Sequence, residues 1–521
     1  MLLGIALHGA MSFIPNAGII WGVQDSQSRE WYGILLASIH GWRMPLFFLI
    51  SGFFTAMLWR KRGLRALFVH RFKRIFLPML LALLTIVPLI LFVSGYVRSR
   101  PPTKLTTKTS ATNQEKTFEE IDVFAATATN DLATLTRYLN EGGDIQAKDQ
   151  NGSTPLHVAC FFGRAEAADL LLKADASLDA TNNDGLRPEQ LLAVDWGTTA
   201  FIARLVQLPV QKAKVLAGRD VIAQVIGEKT GRSIATTSDK WRSRSAKAET
   251  FMGFLFYFPV FHHLWFLWFL CWFVCGFMLI GKLLEISAIP AVPTFWITST
   301  VRYVWLIPLT VIPQYFMARG LDAYGPDTSI GLLPLPIVFA YYAIFFGFGA
   351  LYYGADDQTN HVGKGFWWTM PFAVLILFPM GLSLISPETT SQRFVFSLLQ
   401  VSYTWIMSFA MIGLFHRICN IRRPWVRYLS DASYWLYLAH PPIVIYLQFL
   451  VRDITLPSFV KYVFVCSATT ALLLVIYQLC VRNTWVGALL NGRRYPDWNH
   501  QPRQTAEENP VPPDLLPKSN T

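Results

Sequence analysis

Charge is scarce in this sequence: 15% of the 521 residues are charged, against 53% hydrophobic and 15% aromatic. That balance excludes an ordinary soluble globular protein of this length. Cysteine is scarce too. The six lie at 160, 271, 275, 419, 466 and 480, all but the first in or beside apolar runs, so no extracytoplasmic disulfide framework is expected. Cys271 and Cys275 share a helix face, where packing is the expected role. No small-residue cleavage site follows the first apolar stretch, which argues against a secretory signal peptide. The histidines lack zinc-ligand spacing with carboxylates or thiols, so neither a metal nor a bound cofactor is expected.

What the sequence does have is a series of apolar runs about twenty residues long, enough to cross a bilayer as helices. We place spans near 2–21, 33–58, 75–97, 264–284, 296–318, 331–353, 366–386, 394–415, 429–451 and 459–481, ten in all. The net charge of +12 gathers in clusters beside these runs, as in "WRKRGLRALFVHRFKR" and "HRICNIRRPWVR". Such clusters mark cytoplasmic flanks and carry no nucleic-acid motif, so no nucleic-acid partner is expected. Arg60, Lys61, Arg62, Arg65, Arg71, Lys73 and Arg74 put the turn after the second span inside. Alternation then puts Arg417, Arg422, Arg423 and Arg427 inside as well, and the loops near 22–32, 319–330 and 387–393 outside.

Residues 98–250 form a polar, mixed-charge insert between the third and fourth spans, on the outer side by alternation. Within it, "AKDQNGSTPLHVACFFGRAEAADLLLKADASLDATNNDG" carries Thr-Pro-Leu-His and a recurring Asn/Asp-Gly turn, with Gly152 and Gly185 separated by 33 residues. This resembles ankyrin repeats. The same phase gives degenerate repeats at about 117–149 and 182–210, so the array covers about 117–210. His157 has a structural place in that pattern. A repeat array of this size serves as a protein-binding site or as a spacer. The basic, Ser/Thr-rich stretch 211–250 reads as a flexible linker. The expected fold class is therefore all-α: a polytopic membrane bundle of about ten transmembrane helices with an inserted ankyrin-like repeat domain. Its membrane domain is split into 1–97 and 251–485, and a disordered cytoplasmic tail follows at 486–521.

Ionisable groups inside spans are functional candidates, because burying them in hydrocarbon is costly. His8 lies in the first span, His40 and Arg43 open the second, and His262 and His263 stand at the outer end of the fourth. His440 lies in the ninth, while Arg71 and Arg74 sit where the third enters from the cytoplasm. A histidine can take a proton from a hydroxyl near neutral pH, and paired guanidiniums can hold phosphates or polarise a thioester oxygen. That combination suits transfer of an acyl group from acyl-CoA, received at Arg71 and Arg74, to an acceptor activated by His8. Each residue also has a plain reading. Arg71 and Arg74 fit positive-inside flanks, His8 a packing residue, His262 and His263 the aromatic belt beside Trp265 and Trp268, and His40 the outer water boundary.

Taken in order, "MLLGIALHG", "WRMPLFFLISGFF", "RFKRIFLPML", "HHLWFLWFL" and "LSDASYWLYLAHPPIVI" resemble the membrane-bound acyltransferase family 3, in particular its osmoregulated periplasmic glucan succinyltransferase branch. The resemblance spans the chain apart from the insert and the tail. It implies an inner-membrane bundle that moves acyl groups from cytoplasmic acyl-CoA to sugar hydroxyls outside, with the insert on the periplasmic side. It also implies His8 as catalytic base, Arg43 and His263 as further catalytic residues, and Arg71 and Arg74 as the donor-binding pair. Arg43 then faces the bundle interior ahead of Phe47, Phe48, Ser51, Gly52 and Phe53. Ser51, Tyr434, Tyr437 and His440 are implied as further site residues, with Ser433 completing the late motif.

Two departures stand out. The family carries an arginine about ten residues before its first-span histidine, whereas seven residues precede His8, so a start at an internal methionine is expected. The other departure is the insert. Competing functions are a transporter or flippase of a sugar-bearing lipid, which would show paired interrupted halves not found here, and a membrane scaffold that displays the repeats. The implied partners are the membrane, a glycan acceptor such as periplasmic glucan, and a protein at the insert.

Overall fold

A computed structural model describes residues 2–15, 21–100, 122–236, 255–286, 292–317, 324–419 and 423–492, apart from isolated positions within these stretches. All regular elements among the described residues are helical. The chain opens with α1 (Leu2–Ala10), extended by a 3-10 turn Met11–Phe13. The helix expected over 2–21 is interrupted after Phe13, where Ile14 turns extended ahead of Pro15. Then come α2 (Trp31–Arg71), a π-helical turn Phe72–Phe76 and α3 (Leu77–Arg98).

Together α2 and α3 make a 68-residue helical stretch, Trp31–Arg98, far longer than one span requires. It is not straight. Gly63 takes φ 77° and ψ 171°, a backbone region open essentially to glycine. Beyond it the chain comes back on itself, because Arg71 Nη2 donates to Thr55 Oγ1 at 2.9 Å. Sixteen residues of straight helix would hold those two about 24 Å apart.

The insert supplies α4 (Val123–Thr129), α5 (Leu132–Asn140), α6 (Pro155–Phe162), α7 (Ala165–Lys173), a 3-10 turn Pro188–Ala193 and α8 (Trp196–Leu205). Thr154 and His157 form a reciprocal cap at the start of α6, and the other ring nitrogen of His157 reaches the Leu186 carbonyl at 3.0 Å. His157 therefore does structural work, and its burial lowers its pKa below the usual histidine range. The linker expected from 211 needs correction: Lys212–Thr230 is a 19-residue helix, α9. Val215, Ile222, Ala223 and Ile226 recur at helical spacing and are buried, and Ile222, Ala223 and Ile226 join the core formed by α6 and α7. Arg219, fully buried, donates to the carbonyls of Val194 and Phe161 and to Thr199 Oγ1. Residues 237–250 of that expected linker lie outside the described residues.

The second part of the bundle holds α10 (Trp265–Ile286), a short helix Thr294–Thr298, α11 (Arg302–Phe316), α12 (Pro336–Gly354) and α13 (Phe366–Phe372), which runs through a π turn into α14 (Phe378–Leu382). Then follow α15 (Thr390–Ile418), α16 (Pro424–Val451), α17 (Ser458–Ile476) and α18 (Trp485–Asn491). Among the described residues six helical stretches are long and apolar enough to cross a membrane, and Leu2–Phe13 and Phe366–Leu382 are shorter apolar helices. The expected count of ten is not established by these lengths. The expected fifth span, 296–318, is split between two short helices. The tail expected from 486 also begins too early, because α18 packs against the π turn Phe72–Phe76, with Leu490 buried. Residues 493–521 lie outside the described residues.

The bundle core is aromatic. Phe48 is fully buried among Phe266, Phe273 and Tyr342, with ring centroids 4.8, 5.3 and 4.7 Å away. One step on, α2 meets α12 backbone to backbone: a Cβ on Gly52 would lie 1.9 Å from the Phe346 carbonyl oxygen, and one on Gly349 1.9 Å from that of Leu49. Small residues allow such an approach between membrane helices. Gly52→Val should therefore force the two helices apart and cost about 1–3 kcal/mol or more. Gly276→Ala, where an added Cβ meets nothing within 4 Å, should be neutral. Thermal melts of both purified variants check this, and equal melting would refute it.

Candidate active site

His8, on the last turn of α1, has two near-parallel rings beside it: Trp21 at 5.2 Å between centroids and 18°, and His440 of α16 at 4.9 Å and 15°, the latter meeting it edge to edge. Its Nδ1 lies 2.7 Å from His440 Nε2. The other nitrogen of His440 decides the tautomers. His440 Nδ1 lies 2.9 Å from both the Leu436 and the Tyr437 carbonyl oxygens, which only accept hydrogen bonds. It therefore carries the proton. In a neutral ring, His440 Nε2 is then an acceptor, so His8 Nδ1 donates and His8 Nε2 keeps its lone pair. No hydrogen-bond partner holds that lone pair among the described residues. The arrangement can orient a general base.

Gln448 fixes α1 against α16. Its Nε2 donates to the His8 and Gly9 carbonyls at 3.0 and 2.9 Å, where a helix end leaves carbonyls without intrahelical partners. Its Oε1 accepts from Trp21 Nε1 at 2.6 Å. Neither Trp21 nor Gln448 was expected from the sequence, although a glutamine inside an apolar span is a visible signal.

Arg43, on α2, faces this cluster. A Cβ at Gly4 would stand 3.3 Å from its Nη1, so the bare face of α1 makes room for the guanidinium. Tyr437 and Tyr342 lie within its electrostatic reach, and no carboxylate pairs with it among the described residues. Its Nε is buried without a hydrogen-bond partner. His263, at the mouth of α10, donates from Nε2 to the Leu438 carbonyl at 3.0 Å, while its Nδ1 is buried and unpartnered. Tyr437 Oη donates to the His263 carbonyl at 2.7 Å. An unmade hydrogen bond at a buried polar atom costs about 1–3 kcal/mol, so two such atoms beside one base mark a place for a polar substrate.

A second group lies further along the same helices. Arg71 and Arg74, at the π turn, line a cavity of about 350 Å³ with His70, Asp431, Tyr434 and Asn491. Arg71 is held by Thr55, whose hydroxyl donates to the Ser51 carbonyl at 2.7 Å. Arg74 Nη1 donates to the Leu489 carbonyl at 3.2 Å. Tyr434 Oη is buried and unpartnered. Tyr434, Tyr437 and His440 recur every three residues on α16, so the cavity and the histidine pair are separated by six residues of helix, about 9 Å.

The structure thus brings together His8, Arg43, His263, Tyr437 and His440, and separately Arg71, Arg74 and Tyr434. Ser51 belongs with the second group, through its carbonyl. His40 lies outside both groups, with Nε2 3.0 Å from the Pro326 carbonyl, as its structural reading expects. His262 stands in the turn before α10 with φ 44°. Ser433 spends its hydroxyl on the Ser430 carbonyl at 2.7 Å. No group of three or more His, Cys, Asp or Glu suited to a metal occurs among the described residues.

Comparison with known proteins adds identity to this geometry. An ankyrin-repeat profile of three copies matches residues 123–214. Over 105 residues the chain is 35% identical to Glucans biosynthesis protein C of Escherichia coli strain K12, and 34% identical to that of Shigella dysenteriae serotype 1 strain Sd197. Each alignment covers 19% of this chain and 26% of the relative, so it spans about a quarter of those proteins. Protein phosphatase 1 regulatory subunit 27 of Homo sapiens is 37% identical over 71 residues, covering 14% of this chain and 46% of its own. No solved structure matches. The acyltransferase domain profile matches residues 1–119 and 198–478, which include every residue of both groups except Asn491. The chain belongs to that acyltransferase family, as a multi-pass membrane member carrying ankyrin repeats.

Proposed function

We propose that the protein is an O-acyltransferase that carries an acyl group from cytoplasmic acyl-CoA to a sugar hydroxyl on the opposite side of the inner membrane. The observation that carries this reading is the pair of groups that meet α16 six residues apart: an arginine-lined cavity at Tyr434 and, at His440, an oriented His8 base. Arg71 and Arg74 hold the anionic coenzyme, and the acyl arm reaches inward past Tyr434 and Tyr437. The acceptor hydroxyl gives its proton to His8 Nε2 as its oxygen attacks the thioester carbon. The C–S bond then breaks, and the sulfur takes the proton back from His8. Arg43 stands where charge develops on the carbonyl oxygen. The glucan acceptor is assigned from the relatives' name, and the succinyl group from the family resemblance. We place the insert on the periplasmic side, where it meets a protein partner or the polymer.

The test is label transfer from acyl-CoA, supplied at the Arg71 face of oriented vesicles, into ester on glucan at the other face. Arg71→Gln/Arg74→Gln should raise the donor KM at least tenfold while changing the acceptor KM little, since hydrogen bonds to charged groups contribute about 1.5–3 kcal/mol. Unchanged donor KM would remove these arginines from donor binding.

A further inference from the structure

We propose that the protein carries a second ligand site, a cationic pocket for a phosphate-bearing group, where α12 leaves the bundle and α15 ends. The pocket has a volume of about 550 Å³ and is lined by Thr359, Asn360, His361, Lys364, His416 and Arg417, with Trp367 at its edge. None of these residues lines the Arg71 cavity. Both lie at the end of the bundle where the chain passes from α15 to α16.

This is a built site. Asp357, whose side chain is 1% exposed, accepts from the backbone N–H groups of His361 and Val362 at 2.8 and 2.9 Å and from Tyr352 Oη at 3.2 Å, and its Oδ1 lies 3.0 Å from His361 Nδ1. Buried Arg302 donates from Nη2 to the Val362 carbonyl at 3.1 Å. Gly363 and Gly413 touch backbone to backbone: a Cβ on Gly413 would lie 2.2 Å from the Gly363 carbonyl oxygen. The loop is therefore fixed on α15 before any ligand arrives. Among the described residues no acid lines the pocket, Asp357 lying buried beneath it, so Lys364 and Arg417 present positive charge to whatever enters. Polar hydroxyl and amide groups at Thr359 and Asn360 complete a surface suited to phosphate oxygens.

The neighbourhood selects among sources of phosphate. Trp367 and Trp368, 58% and 83% exposed, open α13 beside the pocket, and the Arg417 guanidinium stands 5.5 Å from the Trp367 ring. Exposed tryptophans at the start of an apolar helix mark the level of lipid headgroups. The occupant is the phosphate of an anionic phospholipid, with a soluble phosphate ester as the competing source of the same chemistry.

Native mass spectrometry of the delipidated full-length protein tests this, with readouts independent of acyl transfer. Dioleoylphosphatidylglycerol should give a first adduct at about tenfold lower concentration than dioleoylphosphatidylcholine. Lys364→Gln/Arg417→Gln should weaken that adduct about thirtyfold, two basic contacts near a membrane surface being removed. Lys364→Arg/Arg417→Lys, which keeps both charges, should retain it and guards against misfolding. Lys61→Gln/Arg62→Gln, exposed basic residues at the Gly63 turn, should also retain it. Displacement of the lipid by millimolar glycerol 3-phosphate would support the pocket and assign it to a soluble ester. Equal affinity for both lipids without glycerol 3-phosphate binding, or equal weakening by the Gly63-turn variant, would overturn the proposal.

Discussion

Replacing His8 with alanine is expected to reduce acyl transfer by 10²–10⁴-fold, the usual contribution of a positioned acid–base group, while leaving the thermal melt nearly unchanged. The expectation rests on the free Nε2 of His8, whose one side-chain hydrogen bond among the described residues is that to His440, with Trp21 beside the ring. His440→Gln separates orientation from chemistry. Its amide N–H₂ can satisfy one backbone carbonyl, but the side chain is too short to hold the His8 ring as His440 does. A loss in kcat with unchanged donor and acceptor KM is expected, smaller than that of His8→Ala. If His8→Ala retains full transfer, His8 is a packing residue and the base lies elsewhere.

The other large effect is expected at Asp25. Its carboxylate accepts from Lys461 Nζ at 2.6 and 2.7 Å, with both side chains 1% exposed. Asp25 N donates to the Ser12 carbonyl at 2.8 Å, and Ser26 Oγ donates to the Arg452 carbonyl at 3.2 Å. The ion pair therefore clamps the segment leaving α1 onto the start of α17. Asp25→Ala leaves a buried ammonium without its counter-ion and should destabilise by about 3–5 kcal/mol. Asp25→Ala/Lys461→Met removes both charges and should recover most of that loss, which chemical-denaturation midpoints of the three proteins would reveal. Equal destabilisation of the single and double variants would mean that the pair itself is not the clamp.

Much of the site was readable in the sequence because charged and titratable groups stand out in apolar helices. His8, Arg43, His263 and His440 were visible one by one, and Arg71 with Arg74 shares a face by simple spacing. The separation of the Arg71–Arg74 end from His8 was expected too, but which group Ser51 and Tyr434 join was not visible, since it depends on which helices meet. Ser51 illustrates this: it falls in the Arg71 group only because Gly63 brings Arg71 back to Thr55. The Asp25–Lys461 pair joins positions 436 residues apart, which no local pattern signals. In the insert the Ser/Thr-rich composition after 230 masked α9, whose apolar face is sparse but sufficient to close the last repeat.

The tautomer relay ends on two peptide carbonyls, and this has a consequence for the timing of the reaction. A carboxylate in that place would offer a full negative charge to an imidazolium; the carbonyls of Leu436 and Tyr437 offer only dipoles. The Arg43 guanidinium faces the same cluster, and no carboxylate pairs with it among the described residues. In the reaction proposed above, proton removal from the acceptor and proton delivery to the departing sulfur then follow each other closely.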